Sequence, residues 1–403
     1  MRPIQRYSGE NEIAAGVLIA DFYLPILFVF IGRAVFIPFL PIYAQTLGAS
    51  IGTAGFIAGI MTLSAFIFDL PAGMLMEGLG ERRSALLSTS GIAATVFFAG
   101  ILKSITALVI LLLIFGALQS LLMVSLMSFM RSSTKKGRRG RKISSLGGLQ
   151  RLGRFIGPIA GGFIAEYLSY RAVFFSAAAL TFVSVILLKI SMPEIVRSRE
   201  SAASSFSIKK TLFEFRRNRR IFATVGIVMV FLSLIRKARQ IVIPLWGSGI
   251  GVQTSKIGLI IGLGSAFDML MFIPAGFVMD KLGRKYALGL CMLVLSGGLA
   301  LLPLSSNTGS FFVLTILIGI GNGFGSGINM TFGSDLAGRG NVGVFLGLWR
   351  QISDLGSLGA PLVLGLITDS VSLPVSIVIF AGTGLIGFIY MLATVKETLQ
   401  KKE

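Results

Sequence analysis

The residues of this chain that could do chemistry are few, and most stand where charge is expensive. Arg33, Asp69, Arg239, Asp268, Arg350 and Asp354 lie inside long apolar runs, as do Arg151, Arg154, Arg236 and Lys237. An ionised side chain within hydrocarbon costs roughly 2.5–3.5 kcal/mol on insertion scales, so such residues usually border a polar route and act there. Arg350 and Asp354, at i and i+4, share one helix face. The chain has no histidine, so proton handling near neutral pH falls to carboxylates. A carboxylate in a dry cavity favours its neutral form, and exposure first to one side of a membrane and then to the other lets it load and release a proton. Asp69, Asp268 and Asp354 are therefore the candidate proton carriers, with a static ion pair as the competing role for each; Asp21, nearer a helix end, ranks below them. At about 1.5 Å rise per residue, Arg33 and Asp69 fall at comparable depths, which predicts a buried pair if their helices touch. Arg239 and Asp268 occupy the corresponding helices further along the chain.

The elements that position these charges must be membrane helices. Of 403 residues, 54% are hydrophobic and 13% charged, against roughly 25% charged in soluble domains. A hydrocarbon core of about 30 Å needs about 20 apolar helical residues. Runs of that kind predict twelve spans, at 18–46, 52–76, 84–103, 106–130, 143–166, 171–190, 220–247, 254–279, 286–304, 310–333, 342–368 and 372–394. The formal charge of +20 reads as membrane orientation rather than nucleic-acid binding, because nearly all loop Lys and Arg fall on one side. Only Lys103, Arg171 and Lys256 lie in the opposite loops. Both termini and the central basic segment are thereby expected in the cytoplasm. Glu10 and Glu12 precede an apolar run too long for a signal peptide, so the first span is expected to direct insertion. Cys291 is the single cysteine, which excludes a disulfide within one chain.

The polar stretch 193–219 divides the spans six and six, giving an N-terminal bundle over 1–192, a cytoplasmic linker and a C-terminal bundle over 220–403. The two parts echo each other at a shift of 203 residues. "LPAGMLMEGLGERR" aligns with "IPAGFVMDKLGRKY", Gly153 with Gly356, Pro158 with Pro361, Gly116 with Gly319 and Gln119 with Asn322. Several matches at one offset argue for duplication of a six-helix unit.

With these motifs in view the chain resembles the major facilitator superfamily of secondary transporters over essentially its whole length. The loop signature of that family stands here as Gly73, Glu77, Gly80, Arg82 and Arg83, and again as Gly276, Asp280, Gly283, Arg284 and Lys285. The resemblance implies that its acid and bases lock neighbouring helix ends on the cytoplasmic side. The first copy departs in having Glu77 for aspartate and Glu81 before the arginines. In the fifth span, Gly153, Gly157, Pro158, Gly161 and Gly162 resemble the motif that distinguishes the family's drug:proton antiporters, and glycines four apart give a smooth packing face. The arginine that such antiporters carry in the fourth span is replaced by Gly116. The glycine-rich "GIGNGFGSG", Gly319 to Gly327, follows no strand and reads as helix packing rather than a nucleotide loop.

The resemblance implies an all-α protein of twelve transmembrane helices in two pseudo-symmetric bundles, rocking around a central site lined by spans 1, 4, 7 and 10. Phe28, Phe36, Gln119, Met123, Met127, Trp246, Asn322 and Asn329 lie on those spans, and aromatic, thioether and amide groups suit amphipathic organic molecules. The expected activity is proton-coupled export of such compounds across the plasma membrane by a monomer. Its partners are the substrate, protons and lipid, with no nucleic acid, cofactor, metal or enzymatic step. Two other readings remain: a symporter or facilitator for a small anionic metabolite, favoured by the excess of embedded arginine over aspartate, and a non-transporting receptor or scaffold docking through the linker.

Overall fold

The computed structural model describes residues 22–132, 139–193, 208–337 and 342–399. Asp21 and most of the linker, 194–207, lie outside them. The described chain is helical in sixteen main segments. The first unit holds α1 (Leu24–Phe36), α2 (Leu40–Thr46), most of α3 (Ile51–Leu79), α4 (Glu81–Ile101), α5 (Ile105–Ser132), α6 (Arg139–Tyr167) and α7 (Tyr170–Ser191). The second holds α8 (Ile208–Arg217), α9 (Ile227–Gly249), α10 (Thr254–Leu270), α11 (Phe272–Lys281), α12 (Arg284–Leu301), α13 (Thr308–Phe324), α14 (Ile328–Leu336), α15 (Val342–Ser370) and α16 (Leu373–Thr394). The start of α3, Ala49–Gly59, clusters with the second unit.

Breaks in the spans follow local chemistry. Pro38 and Pro41, which lack an N–H to donate, accompany the 3₁₀ turn Ile37–Phe39 that separates α1 from α2. Gly325 to Gly327 separates α13 from α14, with Gly327 in the left-handed region. A π-helical turn, Phe222–Gly226, leads into α9.

Among the described residues, eleven stretches are long and apolar enough to cross a membrane. Of the twelve expected spans, the one that does not qualify by length and composition is α6. Its sequence RGRKISSLGGLQRLGRFIGPIAGGFIAEY forms an unbroken helix of 29 residues but carries too much charge to qualify by composition. Apart from the start of the first span, which lies outside the described residues, and α9, which the π-helical turn Phe222–Gly226 precedes, helix ends fall within four residues of the predicted boundaries.

Element boundaries also recur along the chain. Thr254 opens α10 203 residues after Ile51 opens α3, and the same interval separates the starts of α5 and α13 and of α7 and α16. Ser169 caps α7 by accepting from the N–H of Ala172, and Ser372, 203 residues on, caps α16 through that of Val375.

Within the first unit, α1 packs on α6 and α7, and α4 on α5 and α7. The glycines of α6 make the first of these contacts close: Cβ atoms at Gly153, Gly157 and Gly161 would collide with Phe30, Ala34 and Val35 of α1. Within the second unit, α9 packs on α15 and α16, and α12 on α13 and α16. Gly356 of α15 lies against the Val230 carbonyl of α9. Close backbone approach through small residues is how membrane helices gain packing without a hydrophobic drive between them.

Candidate functional site

In the second unit three helices converge on one carboxylate. Asp268 of α10 lies 3.4 Å from Arg239 Nη2 of α9. It accepts from the Asn322 amide of α13 at 2.6 Å and from Ser326 Oγ at 3.4 Å. The side chains of Arg239 and Asp268 are only 14% and 16% exposed. Arg236, nearly a turn before Arg239, donates to the Asn322 carbonyl at 3.3 Å and lies 3.7 Å from Cys291 Sγ. The close approach of α10 to α13 depends on Gly319, which faces the Gly264 backbone. Asn322 Oδ1 has no hydrogen-bond partner although it is buried. The arrangement is a polar cluster of two arginines, one carboxylate and one amide among membrane-spanning helices, where charged groups are costly and mark a candidate functional site.

A cleft of about 490 Å³ runs between α11 and the start of α14, with Phe272, Gly276, Phe277, Asp280, Ser326 and Thr331 among its walls. It reaches from Asp280 of the loop motif to Ser326, which donates to Asp268.

The first unit is built differently. Asp69 of α3 accepts a short hydrogen bond from Ser120 of α5. The predicted Arg33–Asp69 pair is absent, and the reason is helix packing. Arg33 rides on α1, whose neighbours are α6 and α7, and its charged neighbour is Arg154 of α6. Asp69 instead rides on a helix held to α5, where Ser64 donates to the Leu113 carbonyl and Gly116 lies against Met61. Gln119, the residue before Ser120, is 5% exposed with both amide atoms unpartnered.

Other candidates fall outside these clusters. Arg350 and Asp354 form an i,i+4 pair at 3.7 Å with both side chains largely exposed. Trp246 commits its indole N–H to Ser305 at 2.9 Å. Phe36 is a core residue, packed between Phe115 and Phe174. Asn329 accepts from Trp349 and Ser353 of α15.

The two loop motifs share their turn and differ in their acids. Gly80 and Gly283 both have positive φ, +82° and +118°, which only glycine adopts without strain. Arg82 donates to the carbonyl of Lys189 at the end of α7 at 2.7 Å, and Lys285 to that of Leu392 at the end of α16 at 2.9 Å. Each base therefore ties its loop to an orphan carbonyl of the unit's last helix. In the first copy Glu77 is exposed, while the off-pattern Glu81 is buried and accepts from Ser128. In the second, Arg284 bridges Asp280 at 3.7 Å and Asp335 at 3.1 Å. Gly73 and Gly276 face open space, so no helix approaches closely there.

Several participants went unread in the sequence. Glu397 accepts from the backbone N–H groups of Arg284 and Lys285, at 2.9 and 3.0 Å, and so caps α12 from beyond α16. A signal existed: Glu194, outside the described residues, precedes it by 203 residues. Asp369 similarly accepts from Ser50 Oγ and the Gly52 N–H at the start of α3, at 2.7 and 2.9 Å. No local pattern marks that contact.

A family model described as Major Facilitator Superfamily matches residues 23–361 and 240–403. Among relatives, the uncharacterised MFS-type transporter YuxJ of Bacillus subtilis is 25% identical over 358 residues, covering 85% of this chain and 89% of its own. The quinolone resistance protein NorA of Staphylococcus aureus is 22% identical over 386 residues, covering 94% and 97%. Among solved structures, the peptide transporter POT in complex with sulfate superposes with a TM-score of 0.75 at 15% identity, over 94% of each chain.

Proposed function

The chain belongs to the Major Facilitator Superfamily, and from that premise we propose that it exports small amphipathic compounds in exchange for protons by alternating access. One observation carries the reading: Asp268 is held jointly by Arg239 and Asn322. Ionised, this carboxylate anchors both partners; protonated, it loses its attraction for the guanidinium and turns one acceptor oxygen into a donor. A proton and the polar head of a substrate thus compete for one group, which is the chemical requirement for exchange. The cleft from Asp280 to Ser326 supports a path for the proton to that carboxylate. The likeness to a quinolone resistance protein and the glycine–proline stripe of α6 support export. In this reading α6 is the twelfth span, the recurring boundaries reflect two copies of a six-helix unit, and both termini face the cytoplasm of a plasma-membrane protein.

The test uses everted vesicles containing the chain, with ethidium as an amphipathic probe and an imposed interior-acid gradient. Gradient-driven uptake should be abolished by a protonophore and by Asp268→Asn. Gradient-driven uptake that survives Asp268→Asn at the wild-type rate would remove the carboxylate from the coupling step.

The placement of Arg33 beside Arg154 rather than beside Asp69 favours a second reading, in which a small anionic metabolite is carried. The direction of proton movement when substrate is added to vesicles separates the two, since symport and antiport acidify opposite sides.

A further inference from the structure

The helix before the seventh predicted span, α8, is turned inside out for a helix in water. Thr211 and Glu214 of α8 and Asn218 just beyond its end recur at i, i+3 and i+7, on one side of the segment. That face is the covered one: Glu214 is 6% exposed, accepts from Asn218 at 3.0 Å and lies 3.7 Å from Arg217. The helix rests on α15, and Phe215, Phe222 and Phe345 stack in sequence with centroids 5.6 and 5.4 Å apart. The outward arc carries Leu212 and Phe213, 48% and 64% exposed, interleaved with the exposed Arg216, Arg217, Arg219 and Arg220. No acid shares that arc, because Glu214 is the single carboxylate between 211 and 220 and it faces inward.

Large apolar groups outside and an acid inside mean that the outer medium is not bulk water. Arg216, Arg219 and Arg220 stand among those apolar groups with no acid on their arc, which suits an anionic medium; Arg217 already lies beside Glu214. The next membrane-crossing stretch begins at Arg219, so this arc stands at the mouth of a span, where headgroup phosphates lie. Guanidinium groups pair with phosphate oxygens in a bidentate fork, and their stems run along apolar surface. We propose that α8 and Arg216 to Arg220 form an interfacial docking surface for anionic phospholipid, with Leu212 and Phe213 set into the acyl boundary of the cytoplasmic leaflet. This rests on the membrane spans and on the cytoplasmic placement of the linker proposed above, and is independent of the export reading.

The test is lipid selectivity of the full chain. Protein purified from mixed phosphatidylglycerol and phosphatidylcholine, examined by native mass spectrometry, should retain the anionic lipid preferentially. Arg216→Gln with Arg219→Gln and Arg220→Gln should lower that preference roughly fivefold per charge removed, while the three lysine substitutions should largely keep it. Three results would overturn the proposal: no preference in the wild type, an unchanged preference in the glutamine variant, or its loss to millimolar inorganic phosphate, which would mark a free-anion site. A second measurement covers a glutamine variant that fails to accumulate. A spin label on Phe213→Cys, with Cys291 buried, should sit below the phosphate plane in bilayers containing phosphatidylglycerol. A label fully accessible to water there refutes the docking surface.

Discussion

The two units handle a half-buried carboxylate in opposite ways. Asp268 is tied by an arginine, an amide and a hydroxyl drawn from neighbouring segments, whereas Asp69 has one hydroxyl partner and, among the described residues, no cation within ion-pair distance. Yet the framework around them recurs: Gly116 faces Met61 in the first unit as Gly319 faces Gly264 in the second, and each residue of the later pair follows its earlier counterpart by 203 positions. The shared backbone contacts keep the 203-residue interval, whereas the acids stand at different positions on that framework. What differs between the units is therefore the better guide to chemistry, and what recurs is the better guide to architecture.

The largest effect should come from splitting that difference. Asp268→Ala removes the carboxylate that Arg239 pairs with in a largely covered site and should destabilise the protein by roughly 3–5 kcal/mol. Asp69→Ala removes one hydrogen bond and should cost roughly 1.5 kcal/mol. Denaturant unfolding of purified protein compares them, and equal losses would erase the contrast. Next comes the glycine seam. Gly157→Ala on α6 forces a Cβ into Ala34 and Val35 and should cost about 1–3 kcal/mol by overpacking. The matching position of α15 is already Ala360, so Ala360→Gly should cost no more than about 1 kcal/mol; thermal melts in detergent read both.

A smaller effect is expected at the tail. Glu397→Ala removes the cap from α12 and should cost about 1 kcal/mol, with faster amide exchange at Arg284 and Lys285 as the local signature. Glu194→Ala tests whether the first unit uses the same device, by exchange at Glu81 and Arg82. The smallest effects belong to the paired caps: Ser169→Ala and Ser372→Ala should each cost about 0.5–1 kcal/mol. A difference between them beyond that range would show that the capped helices are not equivalent.

The spans were legible because apolar length is a local property. Even the charged α6 was visible through its glycines and proline, although its composition alone does not qualify it as a crossing helix. The Arg239–Asp268 neighbourhood could be approached from sequence because both residues are costly where they stand. The expectation for Arg33 and Asp69 used the same logic and failed, since depth along two helices says nothing of whether those helices touch. Glu81 was read as a departure from the loop pattern, yet it is the buried acid of its turn, because Ser128 of α5 is there to donate to it. The partner of the Trp246 indole, Ser305, carried no local signal in the sequence.

By itself the amino-acid sequence determined the membrane class, the helix boundaries, the 203-residue recurrence and the small set of charges within apolar runs, all of which follow from composition and spacing along one dimension. Tertiary structure alone decided which charges meet: Asp69 with Ser120, Asp268 with Arg239 and Asn322, Glu397 with the start of α12, Asp369 with the start of α3. The physical reason is rotational. A helix that is apolar on every side carries no stripe to set which face turns inward, so its neighbours are chosen by small-residue packing that becomes visible only when the helices are assembled.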